Sequence, residues 1–434
     1  MNHPARSVYR DRDLPLYLAA RVLSGLAKLV QSVAVGWQVY AITRSALALG
    51  FVGLAEFVPM LLLALPAGEM ADRFDPRRII ALANLLEATA SALLLAFVLT
   101  GQTAVWPLYA IILLFGCARG FSRPASQSLL PFLVPPERLS GALAWGSSVV
   151  SLAAIVGPAL GGFAYAIGPA IAYGSCLAAF LVTTLGVSLL GGRRPVQAAD
   201  ALASRMSRLW EGIRFVRSRP VLFGAISLDL FAVLLGGAVS LLPIYARDIL
   251  RVGPEGLGLL NSAPVCGAVL VALLMTRRPI ERRVGLAMFA AVGVFGVATI
   301  VFGLSRSFGL SLGALALGGA ADEISVYIRS MLVQLATPDE MRGRVSALST
   351  LFVSASNELG GFESGVTAAL IGTVPAVVLG GIGTLAVVGI WMKAFPALMG
   401  VDRMREVAPR PPAPGPAQPL TLPQEDEASG RGIW

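Results

Sequence analysis

The chain has 434 residues, of which 56% are hydrophobic and only 14% are charged. Soluble domains carry about 25% charged residues, so this composition excludes an ordinary soluble enzyme. Apolar stretches of about twenty residues recur along nearly the whole length, which is typical of a protein that crosses a membrane many times. The net charge of +9 comes largely from short basic clusters between these stretches, and this pattern indicates control of membrane topology rather than nucleic-acid binding.

The rarer residue types exclude further classes. Cys117, Cys176 and Cys266 lie in apolar stretches without C-x-x-C spacing, so neither a disulfide framework nor a metal site is predicted. The single histidine, His3, is in the N-terminal tail, and no Ser, His or Cys constellation has catalytic spacing. Neither lysine belongs to a phosphate-binding loop, which leaves the chain without an ATPase of its own. We therefore expect a non-enzymatic membrane protein without a cofactor.

The apolar segments, taken in chain order, predict an all-α membrane protein with twelve transmembrane helices. We place them near residues 16–40, 46–67, 79–100, 105–126, 141–164, 169–190, 221–245, 256–275, 285–304, 310–333, 347–370 and 373–395. The first segment carries Arg21, Lys28 and Gln31, so it is not a cleaved signal peptide.

The distribution of basic residues predicts the orientation of these helices. If both termini lie in the cytoplasm, the inside segments hold 25 arginines and the outside loops hold four. Because cytoplasmic loops are enriched in Lys and Arg, this bias favours an N-in, C-in topology with an even number of spans.

The polar stretches divide the chain into five parts. We predict a cytoplasmic N-terminal tail, a six-helix half, a cytoplasmic linker, a second six-helix half and a disordered Pro-rich cytoplasmic tail, at residues 1–15, 16–190, 191–220, 221–395 and 396–434 respectively. The pattern P-[DE]-x-[LM]-x-G-x-[LV] begins at Pro136, after the fourth segment, and again at Pro338, after the tenth. This repeat supports a parallel duplication of the halves.

Ionisable residues inside the apolar segments are the strongest indication of function, because each costs about 2.5–3.5 kcal/mol at a helix centre on insertion scales. The cations are Arg21, Lys28, Arg119, Arg329 and Lys393, and the acids are Glu56, Glu87, Asp229, Asp322, Glu323, Glu358 and Glu363. Cations of the first half thus oppose mostly acids of the second, which suits an anionic or amphoteric substrate. Any one of these residues could instead belong to a structural ion pair that holds two helices together.

Two motifs resemble those of the major facilitator superfamily. Gly68, Asp72, Arg73, Arg77 and Arg78 occur in the spacing of that family's cytoplasmic gating loop, between the second and third segments. In the fifth segment, the run 157–162 (Gly157, Pro158, Gly161 and Gly162) resembles the G-P-x-x-G-G element of its antiporter branches. The arginines of the first motif could serve only to keep the loop in the cytoplasm, and the second motif could be a routine kink with packing glycines.

Further stretches resemble one branch of that family, the enterobactin-exporter-like transmembrane secretion effectors. They include residues 36–40, 124–127, 211–216, 322–330, 337–345 and 356–360. The resemblance implies the major facilitator fold, in which the first, fourth, seventh and tenth helices line a central cavity. It also implies export of a small organic molecule, siderophore-like or an amphipathic drug, across the bacterial cytoplasmic (inner) membrane.

On this basis we expect a monomeric proton antiporter. Its expected partners are the small-molecule substrate, protons and the lipid bilayer, and not nucleic acid. The proton-coupling candidates are Glu56, Asp229, Asp322 and Glu358, and the substrate-cavity candidates are Arg21, Lys28, Gln31, Arg119, Glu323 and Arg329. Two alternatives stay open at this point: an uptake permease of the same fold, and a non-transporting membrane partner or sensor.

Overall fold

The structure is a computed structural model that describes residues 12–191 and 202–404. All regular secondary structure in these two ranges is helical. The α-helices are α1 (Asp13–Thr43), α2 (Ala46–Arg73), α3 (Pro76–Leu99), α4 (Trp106–Leu129), α5 (Leu139–Ile167), α6 (Pro169–Ser188), α7 (Leu202–Ser218), α8 (Pro220–Leu235), α9 (Leu242–Ile244), α10 (Pro254–Arg277), α11 (Val284–Leu304), α12 (Phe308–Ala336), α13 (Asp339–Ile371), α14 (Thr373–Ala394) and α15 (Pro396–Met399).

Nine helical segments in the described ranges are long and apolar enough to cross a membrane. They are α1, the 46–64 part of α2, α3, α5, α6, the 220–249 segment, α10, α11 and α14. Helices α4, α12 and α13 have 24, 29 and 33 residues, so each has sufficient length as well. These three lack an 18-residue stretch as apolar and as poor in charge as those of the nine, and they carry several of the charged residues on which the functional prediction depends.

The motif at residues 68–78 is mostly helical, which corrects the prediction of a loop. Helix α2 continues through Arg73, and α3 already begins at Pro76, so only Phe74 and Asp75 connect them. The Asp75 carboxylate caps α3 by accepting a hydrogen bond from the backbone N–H of Arg77 at 3.1 Å. Proline at the first position and an aspartate before it are a strong start signal, and they set this boundary.

The seventh predicted segment is not one continuous helix. Helix α8 ends at Leu235, and Gly236 and Gly237 separate it from a short 3₁₀ turn, α9 and a π-helical turn at Tyr245–Ile249. The close approach of α13 requires glycine here, because a Cβ at Gly237 would lie 2.6 Å from the carbonyl oxygen of Gly360. The unbroken helix predicted over residues 221–245 is therefore wrong.

The segments predicted as linker and tail also contain helices. Helix α7 lies within the predicted linker, and its Val216 is buried against the cluster formed by α8, α11, α12 and α13. At the start of the predicted tail, α15 buries Leu398, and the carbonyl oxygens of Val401 and Asp402 accept hydrogen bonds from the backbone N–H groups at the start of α11. Most of the predicted disordered tail, from residue 405 onward, lies outside the described residues.

The long helices pack in two groups. In the first, α1 contacts α5 and α6, α2 contacts α4, and α3 contacts α4 and α6. In the second, α10 contacts α12, α11 contacts α12 and α14, and α8 contacts α13 and α14. Two pairs, α5 with α10 and α2 with α13, make the main contacts between the groups. A cavity can therefore form between these two lines of contact.

Both lines of contact are tightest at one end of the molecule, which we call the Arg44 end because it contains the α1–α2 connection at Arg44. A Cβ at Gly365 of α13 would lie 2.8 Å from the Cα of Gly50 in α2, and Gly162 of α5 lies against the carbonyl oxygen of Pro254 in α10. The opposite end, with the α2–α3 connection, is the Arg73 end. Small residues thus let the two groups close on each other at the Arg44 end.

Candidate functional site

Two adjoining cavities lie between the helix groups. Cavity 1 has a volume of about 430 Å³ and is lined by residues of α1, α2, α4, α8, α10, α11, α12 and α13. Cavity 2 has a volume of about 660 Å³ and lies nearer the Arg73 end, where its lining residues Arg123 and Gln127 are exposed. Four residues line both cavities: Glu56, Arg119, Asn357 and Glu358. The cavities therefore meet at a cluster of charged side chains.

The first ion pair of this cluster joins α2 to α4. The Arg119 guanidinium donates to the Glu56 carboxylate, and both side chains are partly buried. Glycines place the pair, because a Cβ at Gly116 would collide with the carbonyl oxygen of Glu56, and Gly120 lies one turn further along the same face of α4. The small-xxx-small face of α4 thus brings the two helices close enough for the charges to meet.

Glu358 belongs to the other helix group and faces this pair. Its Oε2 lies 3.2 Å from the position that a Cβ at Gly53 of α2 would occupy, so α2 offers it space but no side chain there. Among the described residues Glu358 forms no ion pair, although it lines both cavities. A carboxylate of α13 therefore lies at the junction without a bound counter-ion.

Two polar side chains of α1, Lys28 and Gln31, contact α3. Lys28 forms an ion pair with the fully buried Glu87 at 3.1 Å, and Ser91 donates to the Gln31 side chain at 2.9 Å. Gln31 is 1% exposed and lines neither cavity, which corrects its prediction as a cavity residue. Lys28 does line cavity 2, with its charge already compensated.

Sequence reasoning missed most of the α3 partners in this ladder. Asn84, Glu87 and Ser91 are spaced i, i+3, i+7, and they meet Ser24, Lys28 and Gln31 of α1, which are spaced i, i+4, i+7. Matching these two helical stripes would have been the signal that finds the contact.

A second buried ion pair joins α12 to α8. The Arg329 guanidinium donates to the Asp229 carboxylate, and the side chains are only 5% and 4% exposed. Neither residue lines the two cavities, so both are placed outside the predicted site. Arg329 was predicted as a cavity residue and Asp229 as a proton carrier; the pair is buried between α8 and α12, and both charges act on Asp322 of cavity 1.

The two acids at the middle of α12 are placed differently from each other. Asp322 lines cavity 1, and within the described ranges no cation is paired with it. Glu323, the next residue, was predicted as a cavity residue and is not among the residues that line these two cavities. Successive residues lie about 100° apart around a helix, so only one of the two faces the cavity.

These contacts revise the predicted charge distribution across the cavity. Lys28, Arg119 and Arg329 each pair with an acid of their own helix group. Arg21 and Arg123 line cavity 2, and among the described residues neither forms an ion pair with a carboxylate. Around the cavities, the charged side chains without a direct ion pair among the described residues are thus Arg21 and Arg123 on one side and Asp322 and Glu358 on the other, with Arg119 near Glu358 and Arg329 near Asp322.

The glycines of the α5 motif lie at helix contacts. A Cβ at Gly157 would lie 2.7 Å from Cβ of Leu29, and one at Gly161 would lie 2.8 Å from Cα of Val30, both on α1. Gly162 faces α10 instead, and the Pro158 carbonyl lies against Gly258 of that helix. One face of the motif therefore packs against α1, in its own helix group. The adjacent face packs against α10, in the other group.

Charged residues of the α2–α3 motif make local contacts. Arg73 pairs with Glu69, one turn earlier on α2, at 2.7 Å. Arg77 donates to the carbonyl oxygen of Leu190 at 2.7 Å and so ties the start of α3 to the end of α6. Arg78 is exposed. The side chain of Asp72 lies outside the described part of the structure.

Sequence analysis did not single out a charged contact that closes the Arg44 end. Asp248, in the π-helical turn, accepts from the Tyr40 hydroxyl and from the Arg44 guanidinium, the latter at 3.0 Å. Arg247 lies over the ring of Trp37, 5.7 Å from its centroid. The segment 245–249 thus holds the end of α1 across the two helix groups, and we call Tyr40, Arg44 and Asp248 the clasp.

Within residues 12–191 and 202–404, no group of three or more His, Cys, Asp or Glu side chains is arranged to hold a metal ion.

Comparison with known proteins gives concordant results. The family model for transmembrane secretion effectors matches residues 10–425. Macrolide efflux protein A of Streptococcus pyogenes is 23% identical over 383 residues, covering 84% of this chain and 92% of the relative. The enterobactin exporter EntS of Escherichia coli O6:K15:H31 is 27% identical over 416 residues, covering 95% and 96%. These relatives are efflux transporters.

Solved structures of membrane transporters share the fold. A bacterial homologue of the iron transporter ferroportin, in an inward-facing state, aligns with a TM-score of 0.67 at 17% identity, over 90% of this chain and 99% of that one. A bacterial homologue of the human lysosomal transporter Spinster, inward-facing and unoccupied, aligns with a TM-score of 0.66 at 14% identity, over 94% and 98%.

Proposed function

Because the chain belongs to the transmembrane secretion effector family, whose members are multi-pass membrane transporters, we propose that it exports a small organic molecule across the bacterial cytoplasmic membrane. The single observation that carries the proposal is the pair of adjoining cavities between two helix groups that close on each other at the Arg44 end. Such a cavity suits alternating access, in which the groups rock around a central site.

The proposal includes the membrane arrangement predicted from the sequence. Helices α4, α12 and α13 join the nine apolar segments as transmembrane helices, giving twelve in two halves of six. The Arg73 end faces the cytoplasm, in keeping with the arginine bias of the connections and with both termini inside. In this orientation cavity 2 opens toward the cytoplasm, from which an exporter takes up its substrate.

Proton exchange is the proposed source of energy for export, and Glu358 and Asp322 are its proposed proton carriers. Both carboxylates line cavity 1 without an ion-pair partner among the described residues, so each can exchange a proton with the cavity. Glu56 and Asp229 are weaker candidates, because an arginine already compensates each carboxylate. Glu358 also lies on the α2–α13 contact, where a change in its charge acts on the closure of the two groups.

Inside-out vesicles with an imposed proton gradient test the proposal. Uptake of a macrolide and of enterobactin, the cargoes named for the relatives, is measured in wild type, Glu358→Gln, Asp322→Asn and Glu340→Gln. Glu340 is an exposed acid at the start of α13 and serves as the matched control. The substitution that replaces the proton-carrying carboxylate by an amide should abolish gradient-driven accumulation. It should spare downhill exchange, because an amide carries no transferable proton.

Two results contradict the proposal in different ways. Accumulation that persists in both cavity variants assigns the coupling to another site or another ion. Absence of any gradient-dependent flux, for these compounds and a wider substrate panel, rejects proton-driven export. Uptake permease and sensor functions have no specific support from the cavity geometry.

A further inference from the structure

The two cavities differ in chemistry along one axis of the molecule. Cavity 1 has aromatic rings at Phe295 and Phe302 in its wall, and its charged residues are mostly acids, with Asp322 in addition to the shared Glu56, Arg119 and Glu358. Cavity 2 also has apolar residues in its wall, but its charged residues are mostly cations: Arg21, Lys28, Arg119 and Arg123 against the acids Glu56 and Glu358. A ligand that occupies both therefore meets apolar walls throughout, an excess of acids at one end and an excess of cations at the other.

Two of these four cations, Arg21 and Arg123, have no carboxylate partner among the described residues, although Arg21 donates to the Tyr17 hydroxyl. Lys28 is paired with Glu87 and Arg119 with Glu56, so their charges are already compensated. Arg123 is exposed and donates only to the Ser354 hydroxyl, at 3.3 Å, among the described residues. A guanidinium with free donors is well suited to the planar, bidentate recognition of a carboxylate or a similar oxyanion.

Arg21 lies inside the protein rather than in a connecting loop. Its Nη1 is 3.6 Å from the position that a Cβ at Gly146 of α5 would take, and it lies on the wall of cavity 2. Topology control alone needs an arginine in a cytoplasmic loop, and α1 begins eight residues earlier, at Asp13. The position within the helix therefore indicates a role in the cavity.

The acids of the site orient a charged ligand. Asp322 lies on the wall of cavity 1 without a paired cation in the described ranges, and it repels an anionic group from that compartment. Arg21 and Arg123 attract the same group toward the Arg73 end. Only a ligand with its acidic group in cavity 2 and its apolar body in cavity 1 avoids the repulsion by Asp322 and gains the attraction of the two arginines.

We propose that the site binds amphipathic organic anions, with the acidic group between Arg21 and Arg123 and the apolar body in cavity 1. The inference rests on the proposed transport function and adds the class of substrate and its orientation. It differs from simple hydrophobic capture, because the anionic charge contributes to affinity.

Three fluorescent probes of similar shape and different charge test this. Dansylglycine is an anion, dansylglycinamide is neutral and dansylcadaverine is a cation, and dansyl emission rises in apolar surroundings. Binding is titrated on the purified full-length protein in nanodiscs of phosphatidylcholine, whose neutral surface does not favour either ion. We expect dansylglycine to bind about tenfold more tightly than dansylglycinamide, and dansylcadaverine to bind most weakly.

Variants locate the two ends of the probe. Arg21→Gln and Arg123→Gln should each weaken dansylglycine binding roughly fivefold to tenfold and leave dansylglycinamide unchanged. Arg138→Gln, which removes an exposed arginine outside both cavities, is the matched control and should change neither. Val52→Trp fills part of cavity 1 and should weaken all three probes alike.

Equal affinity for the anion and the amide, or tighter binding of the cation, overturns the inference. An effect of Arg138→Gln as large as that of Arg21→Gln also overturns it, since general surface charge would then explain the preference. Because binding is measured without a gradient, these outcomes are independent of the vesicle experiment. An anion preference without gradient-driven flux would reject proton-driven export alone.

Discussion

Gly162→Ala should shift the protein away from the conformation that is closed at the Arg44 end. The added Cβ would collide with the carbonyl oxygen of Pro254 and lie 3.0 Å from the Cα atoms of Glu255 and Gly258. All three contacts are with backbone atoms of α10, so no side-chain rotation relieves them. Helices α5 and α10 must separate, and these helices belong to different groups.

The structure sets the size of this shift. Overpacking a close contact costs typically about 1–3 kcal/mol. If the second conformation separates α5 from α10, it escapes this cost, and the equilibrium moves toward it by a factor between about 5 and 150. We expect the open population to become readily detectable even when it is minor in wild type.

Spin labels on the two groups can measure this population. Gln102 and Ser307 are exposed residues of connections at the Arg44 end, one on each group, and they can be labelled after replacement of the three native cysteines. Double electron–electron resonance on Gly162→Ala should show a longer distance that wild type lacks or populates weakly.

Two neighbouring glycines provide controls. Gly174→Ala in α6 adds a Cβ with no heavy atom within 4 Å, so the distance distribution should not change. Gly161→Ala collides with Val30 of α1, in the same group, and should lower the melting temperature without opening the Arg44 end. A Gly162→Ala distribution identical to that of wild type, in a protein of unchanged stability, would refute the reasoning about this contact.

Three further predictions concern charged pairs. Asp229→Asn should destabilise the fold by about 3–5 kcal/mol, because it leaves Arg329 buried without a counter-ion, and a thermal melt and expression yield equal to wild type would contradict this. Asp248→Asn keeps a hydrogen-bond acceptor in the clasp but removes its negative charge. The ion pair with the exposed Arg44 is worth at most about 1 kcal/mol, so the label distances at the Arg44 end should broaden only slightly; a fully open population would show that the clasp contributes more. Arg73→Ala should leave the melting temperature nearly unchanged, since its exposed i, i+4 pair contributes about 0.3–0.5 kcal/mol, and should reduce vesicle flux strongly if the α2–α3 motif gates transport; normal flux would assign the motif to topology alone.

Helix positions follow largely from local information in the sequence. The apolar periodicity and the cap residues predict where α3, α10 and α14 lie to within a few residues, because those signals act within one helix. The break after Leu235 escaped prediction since its cause is the backbone of α13 near Gly360, more than a hundred residues away.

Partners of the charged residues could not be predicted in the same way. Composition shows that Lys28, Arg119 and Arg329 need compensation in a membrane, but not which acid supplies it. The side-chain contacts between α1 and α3 and the packing of α2 on α4 decide this, and both depend on which helix faces lie together in space. The cavity residues Asp322 and Glu358 stand out only after the paired acids have been identified.

The ion pairs also have a consequence for how the chain enters the membrane. Helices are synthesised in order along the chain. Arg119 lies on α4 and Arg329 on α12, and neither helix is among the nine apolar segments. Each arginine meets its acid on a helix made earlier, Glu56 on α2 and Asp229 on α8. The earlier helix, which carries the acid, can thus stay beside the translocon until the arginine-bearing helix is made. The two helices then enter the membrane with their charges paired. Biogenesis of each half then depends on retaining its early helix until the polar one emerges.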